Sequence, residues 1–217
     1  MTTPSALSPQ HAAEADLAYL RAIVEGDGRP RLTLAVAYLA GGLLYGLQCL
    51  FHLGQATGVI RWPDLANLSF VVGISVAFMV VLSWAIRRDR RDQAANVGPA
   101  ANRAMHAALN GAGMVNVAAI IVFGVGAARD QDLALWLYYP AMVFGLQSAA
   151  WIMAWSLKRK GWMLATALGG WGAAVALGLL VREPLAYLLV CTAALFALFA
   201  APGWIMFRDA RRTGREA

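Results

Sequence analysis

Apolar residues do not alternate along this chain; they run. Six stretches, near 32–54, 66–86, 105–126, 135–157, 163–181 and 185–207, are almost continuously apolar, and none holds Asp, Glu, Lys or Arg between its ends. Each is close to the ~20 residues that a helix needs to cross the hydrocarbon core of a bilayer. Long runs without a period of two exclude a β-barrel. The expected fold class is therefore all-α, a polytopic bundle of six transmembrane helices. A short cytoplasmic amphipathic helix is expected before it: Ser8 suits an N-cap, Pro9 the first helical position and Gly26 the end, with Leu17, Leu20 and Val24 along one stripe. The expected layout is a cytoplasmic segment at 1–31, the helical domain at 32–207 and a basic tail at 208–217. No secretory leader is expected before the first run, which is expected to stay as an anchor.

Composition agrees with that layout. Of 217 residues, 60% are hydrophobic and 14% charged, against about 25% charged in soluble domains. A single soluble core of this size cannot bury such a surplus. The net charge of +6 does not imply nucleic acid, because the basic residues form short clusters between apolar runs and no single face. Fifteen Lys and Arg fall in the segments before run one, between two and three, between four and five, and after six; the other loops hold only Arg61, Arg129 and Arg182. The positive-inside rule then places both termini in the cytoplasm of a bacterial inner membrane. The basic loops, Arg87-Arg88-Asp89-Arg90-Arg91 above all, are the expected contact for a protein partner or for the acidic N-terminal helix; lipids are the general partner, and a homo-oligomer is compatible.

Some features bear on packing. Gly42-x-x-x-Gly46 is a small-xxx-small pair, and run five has two such rows, Ala165/Gly169/Ala173 and Gly170/Ala174/Gly178. Close backbone approach is expected there, for run five on more than one side. Run six offers only Cys191 and Thr192 as polar groups and reads as mostly lipid-facing. Trp62, Trp136, Tyr138, Tyr139, Trp162, Tyr187 and Trp204 sit near run ends, as interfacial anchors do. Cys49 and Cys191 read as small apolar packing residues.

Candidate chemistry is sparse. Tyr38, Gly41, Tyr45, Gln48, His52 and Gln55 follow at steps of three and four, which places them within roughly 100° on one helix face. Hydrocarbon cannot hydrogen-bond such a face, so it is expected to turn to protein, as a packing seam or as the wall of a pathway. Gln147 lies at a depth similar to Gln48, so the two amides are expected to meet, directly or through a water. His52 is expected to touch the outer aqueous layer or an outer loop, with Asp64, Asp130 and Asp132 as the candidate partners there. Asn110 joins the candidate pathway on run three, where Asn102, His106 and Asn110 share a face and Asn116 lies on another. Bis-histidine haem is excluded, since His52 and His106 lie about 20 Å apart in depth; one histidine, His52, remains for a single-ligand haem. No catalytic residue, metal site or cofactor is assigned, and no nucleophile–base pair supports an enzyme.

Leu44-Tyr45-Gly46-Leu47-Gln48 and Val143-Phe144-Gly145-Leu146-Gln147 repeat at an offset of 99 residues, which also pairs Gly73 with Gly172 and Ala77 with Ala176. Two halves of opposite direction are one reading of that spacing. Asp16-Leu17-Ala18-Tyr19-Leu20-Arg21 and Phe144-Gly145-Leu146-Gln147-Ser148-Ala149-Ala150-Trp151 resemble a group of uncharacterised six-span bacterial membrane proteins. That resemblance implies a fold and no activity. The functional expectation is a non-enzymatic accessory, sensor or ligand-binding subunit; the alternative is a small channel or facilitator for a neutral or amphipathic solute.

Overall fold

A computed structural model describes residues 32–92 and 100–213. The expected N-terminal helix lies outside them, as does the end of the basic tail. Among the described residues every regular element is helical: α1 (Leu32–Ala56), α2 (Asp64–Asp92), α3 (Ala100–Asp130), α4 (Leu133–Lys158), α5 (Gly161–Leu179), α6 (Pro184–Leu195), a π segment (Phe196–Ala200) and α7 (Ala201–Thr213). The last three join end to end as one rod. Five stretches are long and apolar enough to cross a membrane: Leu32–Ala56, Asp64–Asp89, Ala107–Asp130, Gly161–Leu179 and Pro184–Arg212. That is the make-up of a multi-pass membrane protein. The sixth expected span falls on α4, whose 26 residues are long enough. It is less apolar than the five because Trp136, Tyr138, Tyr139, Pro140, Gln147 and Ser148 interrupt it.

Helix ends follow from local chemistry. Asp132 caps α4 by accepting from the Ala134 N–H at 2.9 Å. Arg159 ends α4 in the left-handed region at φ 53°, its N–H bonded to the Trp155 carbonyl, and the chain turns at once into α5. Pro184 opens α6 at a position that needs no N–H donor. The Thr33 N–H at the start of α1 donates to Asp89 Oδ2 of α2 at 2.7 Å, a carboxylate on the positive end of a helix dipole. Two sides of the bundle result. Short turns at 57–63, 131–132 and 180–183 mark one, the turn side; the start of α1 and the ends of α2, α4 and α7 mark the basic side.

The rod is the surprise. It packs along α1 and against α5, and buries Tyr187, Cys191, Ala194, Ala200 and Met206. The expectation that run six faces mostly lipid is overturned. In hydrocarbon, helices associate through close contact of small groups, and hydrogen-bonding groups are not needed. A Cβ on Gly42 would come within 2.8 Å of the Leu195 carbonyl oxygen, one on Gly203 within 2.7 Å of Leu39 Cα, and one on Gly46 within 3.0 Å of the Phe196 ring. The α1–rod contact is thus backbone on backbone, and Gly42 and Gly203 are its reciprocal halves. On α5, a Cβ on Gly169 would strike Leu198 of the rod at 2.8 Å, while Gly170 lies against Ser148 of α4. Run five packs on two sides.

The outer helices differ. α2 packs on α1, and α3 on α4; among the described residues α2 and α3 share at most a marginal contact. Their outward residues, among them Leu68, Val72, Met79 and Val80 on α2 and Met114, Ile121, Val122 and Val125 on α3, are exposed, as lipid-facing residues would be.

Candidate functional site

Tyr38, near the start of α1, is buried, and its hydroxyl donates to Gln147 Oε1 of α4 at 2.5 Å. Its ring stacks on Phe199 of the rod at 5.1 Å and meets Trp151 of α4 edge-on at 5.2 Å. Phe199 in turn meets Phe144 at 5.3 Å. The bundle is closed toward the basic side by this aromatic block. Trp151 Nε1 leans toward the Tyr38 hydroxyl and closes no hydrogen bond.

Two turns along α1 from that block, four helices each bring a polar group inward. The half-buried Tyr45 of α1 packs on Phe78 at 5.4 Å, and its hydroxyl faces Ser75 of α2. Ser75 donates to the Val71 carbonyl at 3.1 Å. Tyr139 of α4 lies close enough to Tyr45 for the two hydroxyls to interact, and it faces the Asn116 amide of α3. Gln48 is one turn beyond Tyr45 on the same side of α1. Gln48 Oε1 and Asn116 Oδ1 are both buried with no hydrogen-bond partner among the described residues. An orphaned buried acceptor costs about 1–3 kcal/mol, and such groups in folded chains call for a partner. Among the described residues α2 and α3 share at most a marginal contact, and we name the seam between the α1–α2 and α3–α4 pairs, where the cluster sits, the crevice.

The expected site residues are therefore split. Tyr38 and Gln147 are brought together, Tyr45 and Gln48 line the crevice, and Asn110 sits on an exposed face of α3. Gln147 meets Tyr38 and not Gln48: the longer phenol spans a gap that an amide on the next turns of α1 does not. His52 finds another partner than the candidate aspartates. Its Nδ1 lies 3.0 Å from Gln55 Oε1, and Gln55 Nε2 donates to Asn67 Oδ1 of α2, so a local amide chain holds one side of the imidazole. Asp130 is held instead by its neighbour Arg129, and Asp132 by its own helix.

Asn116 and Tyr139 are the residues that sequence reasoning missed. Asn116 stands off the expected stripe, and Tyr139 reads as an interfacial anchor. Tyr187, another expected anchor, is buried and donates to the Leu137 carbonyl at 2.7 Å. Trp62, Tyr138 and Trp204 are exposed near helix ends. Cys49 and Cys191, expected as packing residues, pack on each other: 142 residues apart in sequence, their sulfurs lie 3.7 Å from each other between α1 and α6. Among the described residues no three of His, Cys, Asp and Glu gather as a metal-ligand set.

The chain matches no known family model, no curated protein and no solved structure in these comparisons.

Proposed function

We propose that this chain is a six-span inner-membrane protein of bacterial type, with both termini cytoplasmic, that works as a non-enzymatic ligand-binding or accessory subunit. The ligand we assign is a neutral amphipathic molecule that enters the crevice sideways from the bilayer. The observation that carries this reading is the pair of buried, unpartnered oxygens, Gln48 Oε1 and Asn116 Oδ1, beside Tyr45 and Tyr139. Both are acceptors, so the matching ligand presents donors, such as hydroxyl or amide N–H groups, on an apolar body. Such a ligand carries no net charge, because among the described residues no ionised side chain waits for it there.

Geometry supports α4 as the sixth span. α3 ends on the turn side and α5 begins on the basic side, so the helix that joins them has to run the full depth of the bundle. Its 26 residues extend about 39 Å at 1.5 Å per residue. The distribution of Lys and Arg supports the orientation, and the basic rim is the surface we assign to a protein partner. A through-going path for a solute is the weaker reading: the Tyr38–Phe199–Trp151 block, with the Tyr38–Gln147 hydrogen bond, stands between the crevice and the basic side.

The test is what the protein carries out of the membrane. Wild type and Gln48→Leu/Asn116→Leu, purified side by side in mild detergent, are compared by mass spectrometry of the extracted small molecules. A hydroxyl- or amide-bearing apolar compound held by the wild type and lost from the double variant, both forms remaining folded, supports the reading. The same complement on both proteins would sink it.

A further inference from the structure

The rod is too long for the bilayer it would cross. About twenty residues span the ~30 Å hydrocarbon core, which from Pro184 is used up near Trp204. The apolar stretch and its helix continue to Arg212. Residues 204–212 therefore stand at the level of the lipid headgroups, wherever the start of the rod is level with the opposite boundary.

At that level the rod carries an organised face. Trp204, Phe207, Arg208, Arg211 and Arg212 recur at helical spacing and line a concavity of about 320 Å³. Trp204 and Phe207 stack with centroids 6.2 Å apart, and the Arg211 guanidinium lies 4.4 Å over the Phe207 ring. Trp204 is 54% exposed, and the three arginines are exposed as well. Asp209, the acid within this turn, reaches Lys160 at 4.0 Å, on the flank toward α5. The face thus offers an aromatic ledge at the carbonyl depth of a lipid and, one turn further out, three guanidinium forks. A guanidinium matches a phosphate with two parallel hydrogen bonds, which an ammonium cannot do.

We propose that this face is a site for one anionic phospholipid, its phosphate held by Arg208, Arg211 and Arg212 and its glycerol-ester region resting on Trp204 and Phe207. The charge of the site selects an acidic headgroup over a zwitterionic one. The ledge selects a lipid over a soluble phosphate, because a free phosphate gains nothing from two aromatic rings. This site is independent of the crevice.

The full chain is purified in a neutral detergent and exposed to phosphatidylglycerol, phosphatidylcholine or inorganic phosphate; bound lipid is counted by native mass spectrometry and thermal stability is followed. The wild type is expected to retain phosphatidylglycerol over phosphatidylcholine by about tenfold or more, given three basic groups at a lipid surface. Inorganic phosphate is expected to leave stability unchanged. The preference should fall to near parity in R208Q/R211Q/R212Q and weaken less in R208K/R211K/R212K, which keeps the charge and loses the forks. R87Q/R88Q, which removes charge from the same rim on α2, should leave it intact. Should the triple glutamine variant fail to fold, R211Q alone is read by the same assay and should lose part of the preference.

Three results overturn the proposal. One is an equal loss from R87Q/R88Q, which would mean that the rim acts only as diffuse charge. Another is a response to inorganic phosphate as large as that to the lipid. The third is a triple variant that keeps the wild-type preference but exposes residues 1–31 to protease, which would assign the face to the chain's own acidic segment.

Discussion

On its Gly42–Gly46 side α1 lies backbone to backbone against the rod; about 100° around the helix, on the side of Tyr45 and Gln48, it meets α4 only through side-chain tips such as the Tyr38–Gln147 hydrogen bond, while α2 packs along it. The first contact leaves its atoms nowhere to go. On the second side Gln48 Oε1, and on α3 Asn116 Oδ1, have no partner among the described residues. A membrane protein cannot hold its helices together by burying apolar surface from water, so position has to come from close fit. Here one side of α1 supplies the fit and leaves the other free to be loosely closed. The slack is where a ligand can be admitted without dismantling the bundle.

The comparison can be broken from the tight side first. Gly203→Leu, or Gly42→Leu, puts a side chain into backbone that cannot rotate away. Destabilisation near the upper end of the overpacking range, about 3 kcal/mol, is expected, read as a lower midpoint of unfolding in detergent. An unchanged midpoint for both variants would mean that α1 and the rod are not in contact.

Next in size is the hydrogen bond that shuts the basic side. Tyr38→Phe keeps the ring contacts with Phe199 and Trp151 and leaves Gln147 Oε1 without its donor. A loss of about 1–2 kcal/mol is expected, the upper part of what such bonds contribute in membranes. Tyr38→Phe/Gln147→Leu should recover most of that loss; failure to recover it would show that the two side chains do not share a bond. A smaller change is expected from Asp89→Ala, which strips the carboxylate from the start of α1. About 0.5–1 kcal/mol is expected, with faster amide exchange confined to the first turn of α1; exchange that is unaltered there would deny the cap.

The smallest effect is the most telling. Gln48→Leu removes an oxygen that nothing satisfies, so stability should stay within about 0.5 kcal/mol of wild type or rise slightly. The same class of substitution at a packing seam would destabilise. A fall of about 2 kcal/mol in ligand-free protein would show that Gln48 is bonded after all and that the crevice is only a seam.

Much of this architecture is legible in the chain itself. Helices announce themselves because a bilayer demands long unbroken apolar runs, and five of the six expected spans coincide with helices of the required length and apolarity. Partners are harder to read. Gly42-x-x-x-Gly46 states that something comes close and is silent on what. A reading based on hydrogen-bonding groups puts the last helix against lipid, whereas its Ala and Gly surface is what brings α1 in. The same ambiguity hides Tyr139 and Tyr187. A tyrosine near a helix end looks alike in sequence whether its hydroxyl seeks headgroups or the carbonyl of Leu137. Asn116 had a usable signal, an amide near the middle of an apolar run, where hydrocarbon would leave it without a partner. The stripe on α1 drew attention to the right face of one helix, and the spacing of residues on that helix could not say that three others would contribute one group each.

The π segment at Phe196–Ala200 carries a consequence for how this chain can change over time. A single turn of π-helix holds one residue more than the α-helix around it, as if a residue had been inserted. Losing any one of those five residues would return the rod to regular α geometry at little local cost. Everything after it would keep its place, because five π residues turn and rise about as far as four α residues. Gly203 would stay against Leu39, and Trp204 through Arg212 would keep their quarter of the bundle. The descendants of this sequence are thus free to lose one codon in this short stretch, whereas the same loss from the α-helical part of the rod would turn everything beyond it by about 100° unless α1 is rebuilt with it.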